Sequence, residues 1–306
     1  MLRIGSSLFP VCNAAGHCKN IAEVERLARS AVSGIVVGSI TVLPRDGNPG
    51  NTFNGDLVYG LNSLGLPNPG IEKIREIGPE MIRIAHAADK PILMSAAGFS
   101  PDEFAVLAKA AIDTGFDGVE INVGCPNVAD GGKRKAIVSY HRTLMQRSLR
   151  AVFSRLGILA YRRLISVKVS PMDPERLQEI AELLVEWPIE VVVTMNAVPN
   201  CLDFKDDGTP VIDTPDKTGY AGGSGRQVLQ QSLGQVKQWR ERLPNAVMVW
   251  GVGGVQDALS IKKMRLAGAE VVQVGTAYFS HPDGAKFFGD LATEFINLNE
   301  HEGVTQ

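Results

Sequence analysis

Two kinds of apolar spacing alternate along the chain. Short runs dominated by Val and Ile recur at Phe9–Asn13, Gly34–Gly38, Ile92–Ala96, Gly118–Val123, Ile165–Val169, Val191–Met195, Val247–Gly251 and Val271–Gly275. Near-continuous apolar runs of this length suit parallel strands covered on both faces. Helix-like segments lie between them, clearest at Ser100–Thr114, Pro174–Trp187, Gln227–Arg242, Val255–Leu266 and Ala285–Asn297. Ser100, Pro101 and Glu103 form a helix start: a hydroxyl N-cap, a proline where no N–H is needed, and an acid at N3. Asp173–Pro174 opens the next helix in the same way. Eight strands is the number that closes a barrel, so the pattern predicts an α/β fold, a (β/α)8 TIM barrel. An open doubly wound sheet would have fewer strands and a glycine fingerprint after the first; neither is found.

The third strand comes late, after a Gly-, Asn- and Pro-rich insertion at Thr41–Lys90, and an irregular insertion at Asn200–Gly225 follows the sixth. In a barrel both would lengthen loops at the carboxyl ends of strands, the C-terminal face on which barrel sites are built. No repeat, low-complexity tract or linker interrupts the 306 residues, so one domain spanning 1–306 is expected.

Composition narrows the class of function. Hydrophobic residues at 44% and charged residues at 21% fit a globular chain with a sizeable core. A net charge of −2 gives no steering toward nucleic acid or an anionic membrane. No stretch reaches the roughly 18 apolar residues of a membrane span, so no membrane association and a cytoplasmic location are expected. The four cysteines form no C-x-x-C pair and the five histidines no H-x-x-x-H pair. Neither a disulfide framework nor a metal site is therefore expected.

Candidate chemistry gathers at the strand ends. Glycine clusters occur at Gly222-Gly223-Ser224-Gly225, Gly251-Val252-Gly253-Gly254 and Gly275-Thr276, the last two directly after the seventh and eighth strands. Loops in those places commonly hold phosphate, because exposed backbone N–H groups face the anion and glycine permits close approach. One such cluster alone could equally be a tight turn; three in this order favour a phosphate site. Cys125 lies just beyond the fourth strand, in Asn122-Val123-Gly124-Cys125-Pro126-Asn127. A free thiol with pKa about 8.5 can serve as a general acid/base. A lone cysteine is more often a buried small hydrophobe, but this one is set among Asn, Gly and Pro at a strand end. Asn122 and Asn127 flank it with amides able to read a planar polar ligand. Lys168 interrupts an apolar strand, where a buried cation needs a partner. Either it stabilises a bound anion or it forms a structural ion pair, with Glu120 as a candidate mate. Asn62 and Asn196 would each be turn residues in isolation.

Together these motifs resemble the dihydroorotate dehydrogenase family, in its soluble class with a cysteine base. The resemblance runs through Asn13-Ala14-Ala15-Gly16, Gly47-Asn48-Pro49, Asn62-Ser63-Leu64-Gly65-Leu66-Pro67-Asn68, Asn122–Asn127 and the later glycine motifs. It implies FMN as cofactor, with Gly223, Gly253, Gly254, Gly275 and Thr276 at its phosphate. Ala14, Ala15 and Gly16 would line the ring, and Lys168 would support its pyrimidine edge. Asn62, Asn122, Asn127 and Asn196 match the residues that bind orotate. Cys125 would take a proton from C5 of dihydroorotate while hydride leaves C6 for the flavin, a step of pyrimidine biosynthesis. A soluble acceptor such as fumarate and a homodimer are implied in the same way, with an iron–sulfur partner subunit, as in the NAD-linked form of the family, the alternative left open. The loop Pro126–Tyr140, with Lys133-Arg134-Lys135, is either a lid or a solvated basic loop.

The chain departs from the family pattern in three places. Gly38 stands where the family carries a lysine beside the flavin, Gly124 where it carries Ser before Cys, and Ala197 where it carries Ser after Asn. All three are expected to enlarge or neutralise the pocket. They leave two alternatives to dihydroorotate oxidation: a paralogue acting on another dihydropyrimidine-like substrate, or a barrel that binds flavin or phosphate without catalysis. On the last reading, Gly38→Lys would restore activity.

Overall fold

Every second residue of the central strands turns to the same side, and that alternation organises the molecule. The computed structural model describes residues 7–56, 58–126, 129–130, 133–281 and 283–303. The eight central strands are β1 (Val11–Asn13), β2 (Ile35–Ile40), β3 (Ile92–Ala96), β4 (Gly118–Asn122), β5 (Leu164–Val169), β6 (Val191–Thr194), β7 (Met248–Val252) and β8 (Val271–Val274). Their spatial order is β1-β8-β7-β6-β5-β4-β3-β2, and every ladder is parallel.

The last seam, β1 to β2, is closed by a single backbone bridge, Cys12 to Gly34. The Asn13 side chain completes it. Its amide donates to Val36 O at 2.7 Å, and its carbonyl accepts from Val36 N at 2.9 Å. A buried asparagine thereby replaces the next rung of the ladder.

The helices are α1 (Ile21–Arg29), α2 (Gly70–Ala87), α3 (Pro101–Thr114), α4 (Arg142–Leu156), α5 (Pro174–Leu184), α6 (Leu229–Arg242), α7 (Ala258–Ala267), α8 (Thr276–Ser280) and α9 (Gly284–Gly303). The expected start of α3 is realised: Ser100 accepts from Glu103 N, and the Glu103 carboxylate accepts from Phe99 N. Asp173 caps α5 similarly through Arg176 N.

Outward-facing strand residues, such as Val119 and Ile121 of β4 or Ile165, Val167 and Val169 of β5, join the apolar layer beneath the helices. Inward-facing ones include Val36, Leu93, Leu164, Val191, Val193 and Trp250, which fill the barrel. Above them the inward positions turn polar: Ser95, Glu120, Asn122, Lys168 and Gln273, all buried. A barrel interior whose apolar plug gives way to polar side chains toward the strand ends is a floor for a site.

The two insertions carry regular structure that their composition hides. Thr41–Lys90 contains the whole of α2, with Ile71, Ile74, Gly78, Met81 and Ala85 buried at three- and four-residue spacing. Short strands from both insertions pair in one antiparallel sheet, ordered Val198–Cys201, Ala221–Ser224, Gly60–Asn62, Phe53–Gly55. No described helix is long and apolar enough to cross a membrane.

Candidate active site

The polar floor is one continuous hydrogen-bond chain, and its direction can be worked out. Ser95 Oγ donates to Glu120 Oε1 at 2.9 Å, so its own lone pairs face Ser39 Oγ, 2.9 Å away. Ser39 must therefore donate to Ser95, and it accepts from Asn122 Nδ2 at 2.9 Å. Asn122 Oδ1 in turn accepts from Asn196 Nδ2 at 3.0 Å and from Gly124 N at 3.2 Å. On the other side, Gln273 donates to Glu120 Oε2 at 2.8 Å and accepts from Lys168 Nζ at 3.0 Å. The donor-only ammonium and the hydrogen-bond-accepting carboxylate fix which way the Gln273 amide points. Lys168 lies 3.9 Å from Glu120 Oε1. The ion pair considered from sequence exists, and the same lysine also reaches the cavity above.

That cavity gathers most of the residues singled out from sequence. Cys125, Lys168, Asn62, Asn122 and Asn196 line it. So do Ala14, Ala15 and Gly16 after β1, Gly223 of the antiparallel sheet, and Gly253, Gly254, Gly275 and Thr276 after β7 and β8. Asn127 lies outside the described residues. Cys125 also borders a second cavity under Phe99, Arg134 and Lys135. The other thiols are differently placed. Burial pushes Cys12 and Cys18 far up, and Cys201 upward as well. Among the described residues no cluster of His, Cys, Asp and Glu could hold a metal.

The glycine end has the shape of an anion cradle. Gly253 and Gly254 hold φ of +124° and +78°, and a Cβ on Gly254 would lie 2.7 Å from Leu229 N. Only glycine lets the turn after β7 approach the start of α6 this closely. Ser224 and Thr276 bring hydroxyls to the same wall.

The basic loop is pinned at two points. Arg134 Nε donates to Asp216 at 2.6 Å, and Lys135 donates to Phe99 O at 2.8 Å. Burial opposes ionisation of Asp216, but hydrogen bonds from Thr214, Thr218 and Arg134 outweigh it and hold the carboxyl well below the usual range. Of the two alternatives for this loop, the solvated run does not hold at these two residues, whose side chains are anchored.

The three departures do not all open the pocket. Ala197 lines the cavity, whereas Gly38 and Gly124 do not. A Cβ on Gly124 would meet Ser170 N at 2.6 Å, so this glycine serves packing against the end of β5. Gly38 has φ +119°, and a Cβ there would sit 2.5 Å from Ser95 O. Gly38→Lys is therefore expected to lose about 1–3 kcal/mol of stability in urea unfolding and to gain no activity. A variant as stable as the parent would contradict this.

Sequence reasoning missed Lys19, Ser39, Gln273 and Arg226, which all line the cavity. Gln273 carried a readable signal, a polar residue inside an apolar strand, the same signal that marked Lys168. Lys19 carried none beyond its place in the loop after β1.

The sequence matches the model of a family described as Dihydroorotate dehydrogenase over residues 8–295. It is 31% identical over 300 residues to dihydroorotate dehydrogenase (fumarate) of Saccharomyces cerevisiae, covering 97% of this chain and 91% of the relative. It is 29% identical over 298 residues to dihydroorotate dehydrogenase A (fumarate) of Lactococcus lactis subsp. cremoris, covering 96% and 91%. A similar solved structure is dihydroorotate dehydrogenase of Eimeria tenella in complex with ferulenol, with TM-score 0.78 and 20% identity. That alignment covers 96% of this chain and 82% of the other, and at this identity it bears on the fold alone.

Proposed function

Because this chain belongs to the dihydroorotate dehydrogenase family, we propose that it oxidises dihydroorotate to orotate with FMN as cofactor and Cys125 as base. The observation that carries this reading is the convergence of Cys125, three asparagines and the glycine turns after β7 and β8 on one cavity.

The residues present fit FMN. Gly253, Gly254, Gly275 and Thr276, with Gly223, all line the cavity and would hold the phosphate, Gly254 in a turn that has no room for a side chain. Ala14, Ala15 and Gly16 would line the ring, and Lys168 would support its pyrimidine edge. Bound there, FMN supplies the acceptor for a hydride leaving the substrate.

Dihydroorotate becomes orotate by losing one hydride from C6 and one proton from C5. Cys125 takes the proton, a task suited to a group whose ordinary pKa is about 8.5. Asn122 and Asn196 arrive with their amides already oriented by the floor network. With Asn62, they offer carbonyls and N–H groups to the edges of a cyclic amide. Preorientation of this kind removes rotational freedom before the substrate binds. The names of the relatives support fumarate as acceptor, which takes up two electrons and two protons to become succinate. A cytoplasmic homodimer completes the reading.

Purified protein should be yellow, with a flavin spectrum that orotate perturbs. A colourless protein whose added FMN keeps the spectrum of free FMN would overturn the proposal. Ala197, on the cavity wall, favours a second reading in which another dihydropyrimidine is the substrate. Perturbation of the flavin by orotate counts against that second reading.

A further inference from the structure

Three elements meet around the loop that follows β1. Gly16 N donates to Gly38 O at 2.6 Å, and Gly38 N donates to Cys18 O at 2.7 Å. The Gly16–Cys18 turn is thus laid against the end of β2, at the position where a Gly38 side chain has no room. The next residue, Lys19, is half-buried in the cavity wall, alongside Cys125, Gly65, Leu66 and Pro67.

The cations of this cavity are held differently. Lys168 lies against Glu120, and Arg226 is paired with Asp257 at the glycine end. Lys19 Nζ donates to a carbonyl, Pro67 O, at 2.5 Å, and no described carboxylate forms an ion pair with it. A half-buried ammonium that faces a carbonyl and no described carboxylate favours an anion arriving from outside.

We propose that Lys19 is the specificity-determining cation of the substrate subsite, receiving the carboxylate of a small anionic substrate beside Cys125. It takes up the charge that Gly38 cannot carry. The inference rests on the reading of the cavity as a site for dihydroorotate, which bears one carboxylate.

The electrostatics of the surroundings agree. Burial draws the Lys19 pKa down to about 8, partly offset by Cys125 and Cys18. His17 beside it is pushed down to about 4, by burial first and then by Lys19, so it stays neutral at pH 7. Glu23 on α1 faces Cys18 and Tyr278. Lys168 and Arg226 line the same cavity, with Glu120 behind Lys168 and Asp257 paired to Arg226. A bound carboxylate favours the charged form of Lys19, so binding is full below pH 8. It weakens as pH rises through about 8, by at most about tenfold per pH unit.

Alkylation of Cys125 tests the cation without assuming a substrate. The protein, with its flavin, is treated with iodoacetate, which is anionic, or iodoacetamide, which is neutral, and modification of the Cys125 peptide is followed by mass spectrometry. Relative to a free thiol, the parent should favour iodoacetate. Lys19→Met and Lys19→Gln should lose that preference by about tenfold or more, and Lys19→Arg should keep it. Glutamine retains a donor for Pro67 O, so its result separates charge from folding. An unchanged ratio in both neutral variants would overturn the proposal.

Orotate binding, read by the flavin spectrum in a Cys125→Ser background, supplies the second arm. There the parent Kd should rise above pH 8, while the Lys19→Gln value stays flat and high; identical curves would also overturn it. Failure of orotate to bind the parent, with the alkylation effect intact, would sink the dihydroorotate reading and leave the cation standing.

Discussion

Replacing Cys125 by Ser or Ala is expected to slow reduction of the bound flavin by dihydroorotate by about 10²–10⁴-fold, the usual contribution of a positioned base. The flavin itself should stay bound, because the glycine cradle lies after β7 and β8, on different elements from the Cys125 loop. Stopped-flow mixing under anaerobic conditions separates the two effects. Serine should be the informative variant, since its hydroxyl nearly preserves shape but does not ionise near neutral pH. A Cys125→Ser enzyme reduced at the parental rate would remove the thiol from the mechanism.

The second large effect is on stability. Glu120 is fully buried and accepts from Ser95 and Gln273 while lying within ion-pair distance of Lys168. Glu120→Ala would leave a buried ammonium without its carboxylate and take away the acceptor of Ser95 Oγ and Gln273 Nε2. The expected loss is about 3–5 kcal/mol, read as a lower urea midpoint at an unchanged m-value. Adding Lys168→Met should recover part of it, because the second change removes the stranded charge. A single-variant loss below about 1 kcal/mol would show that the Glu120 carboxylate is not what holds Lys168 in the floor.

The barrel was legible because its strands are buried on both faces and therefore read as Val- and Ile-rich runs. Polar residues inside those runs, Lys168 above all, marked the inward face toward the strand ends. Other parts were harder to read. The buried stripe of α2 has regular spacing, but Pro79 and the Gly- and Pro-rich flanks hid it inside an apparent loop. The accessory sheet is built from strands of three or four residues containing Gly60, Gly222 and Gly223, too short to show a period.

Among the residues that line the cavity, Cys125 and Asn122 announced themselves by their neighbours. Ser39 and Lys19 did not, because what matters for them is which loop the fold sets beside the end of β2. Gly38 was half misread for a related reason. As a letter it looked like a lost cation and a larger pocket; the cation is absent, but the pocket is not enlarged there, because in space Gly38 is the contact against which the Gly16–Cys18 turn is laid, next to Lys19 in the wall.

The central claim, that this cavity carries out hydride and proton abstraction from dihydroorotate, is tested most directly by anaerobic mixing of the purified flavin-bearing protein with dihydroorotate. The account predicts bleaching of the flavin within the mixing experiment, fastest where Cys125 is deprotonated and Lys19 still charged, and return of colour on adding fumarate. Absence of bleaching at every pH from about 6 to 9, the working range of a cysteine base, would contradict it.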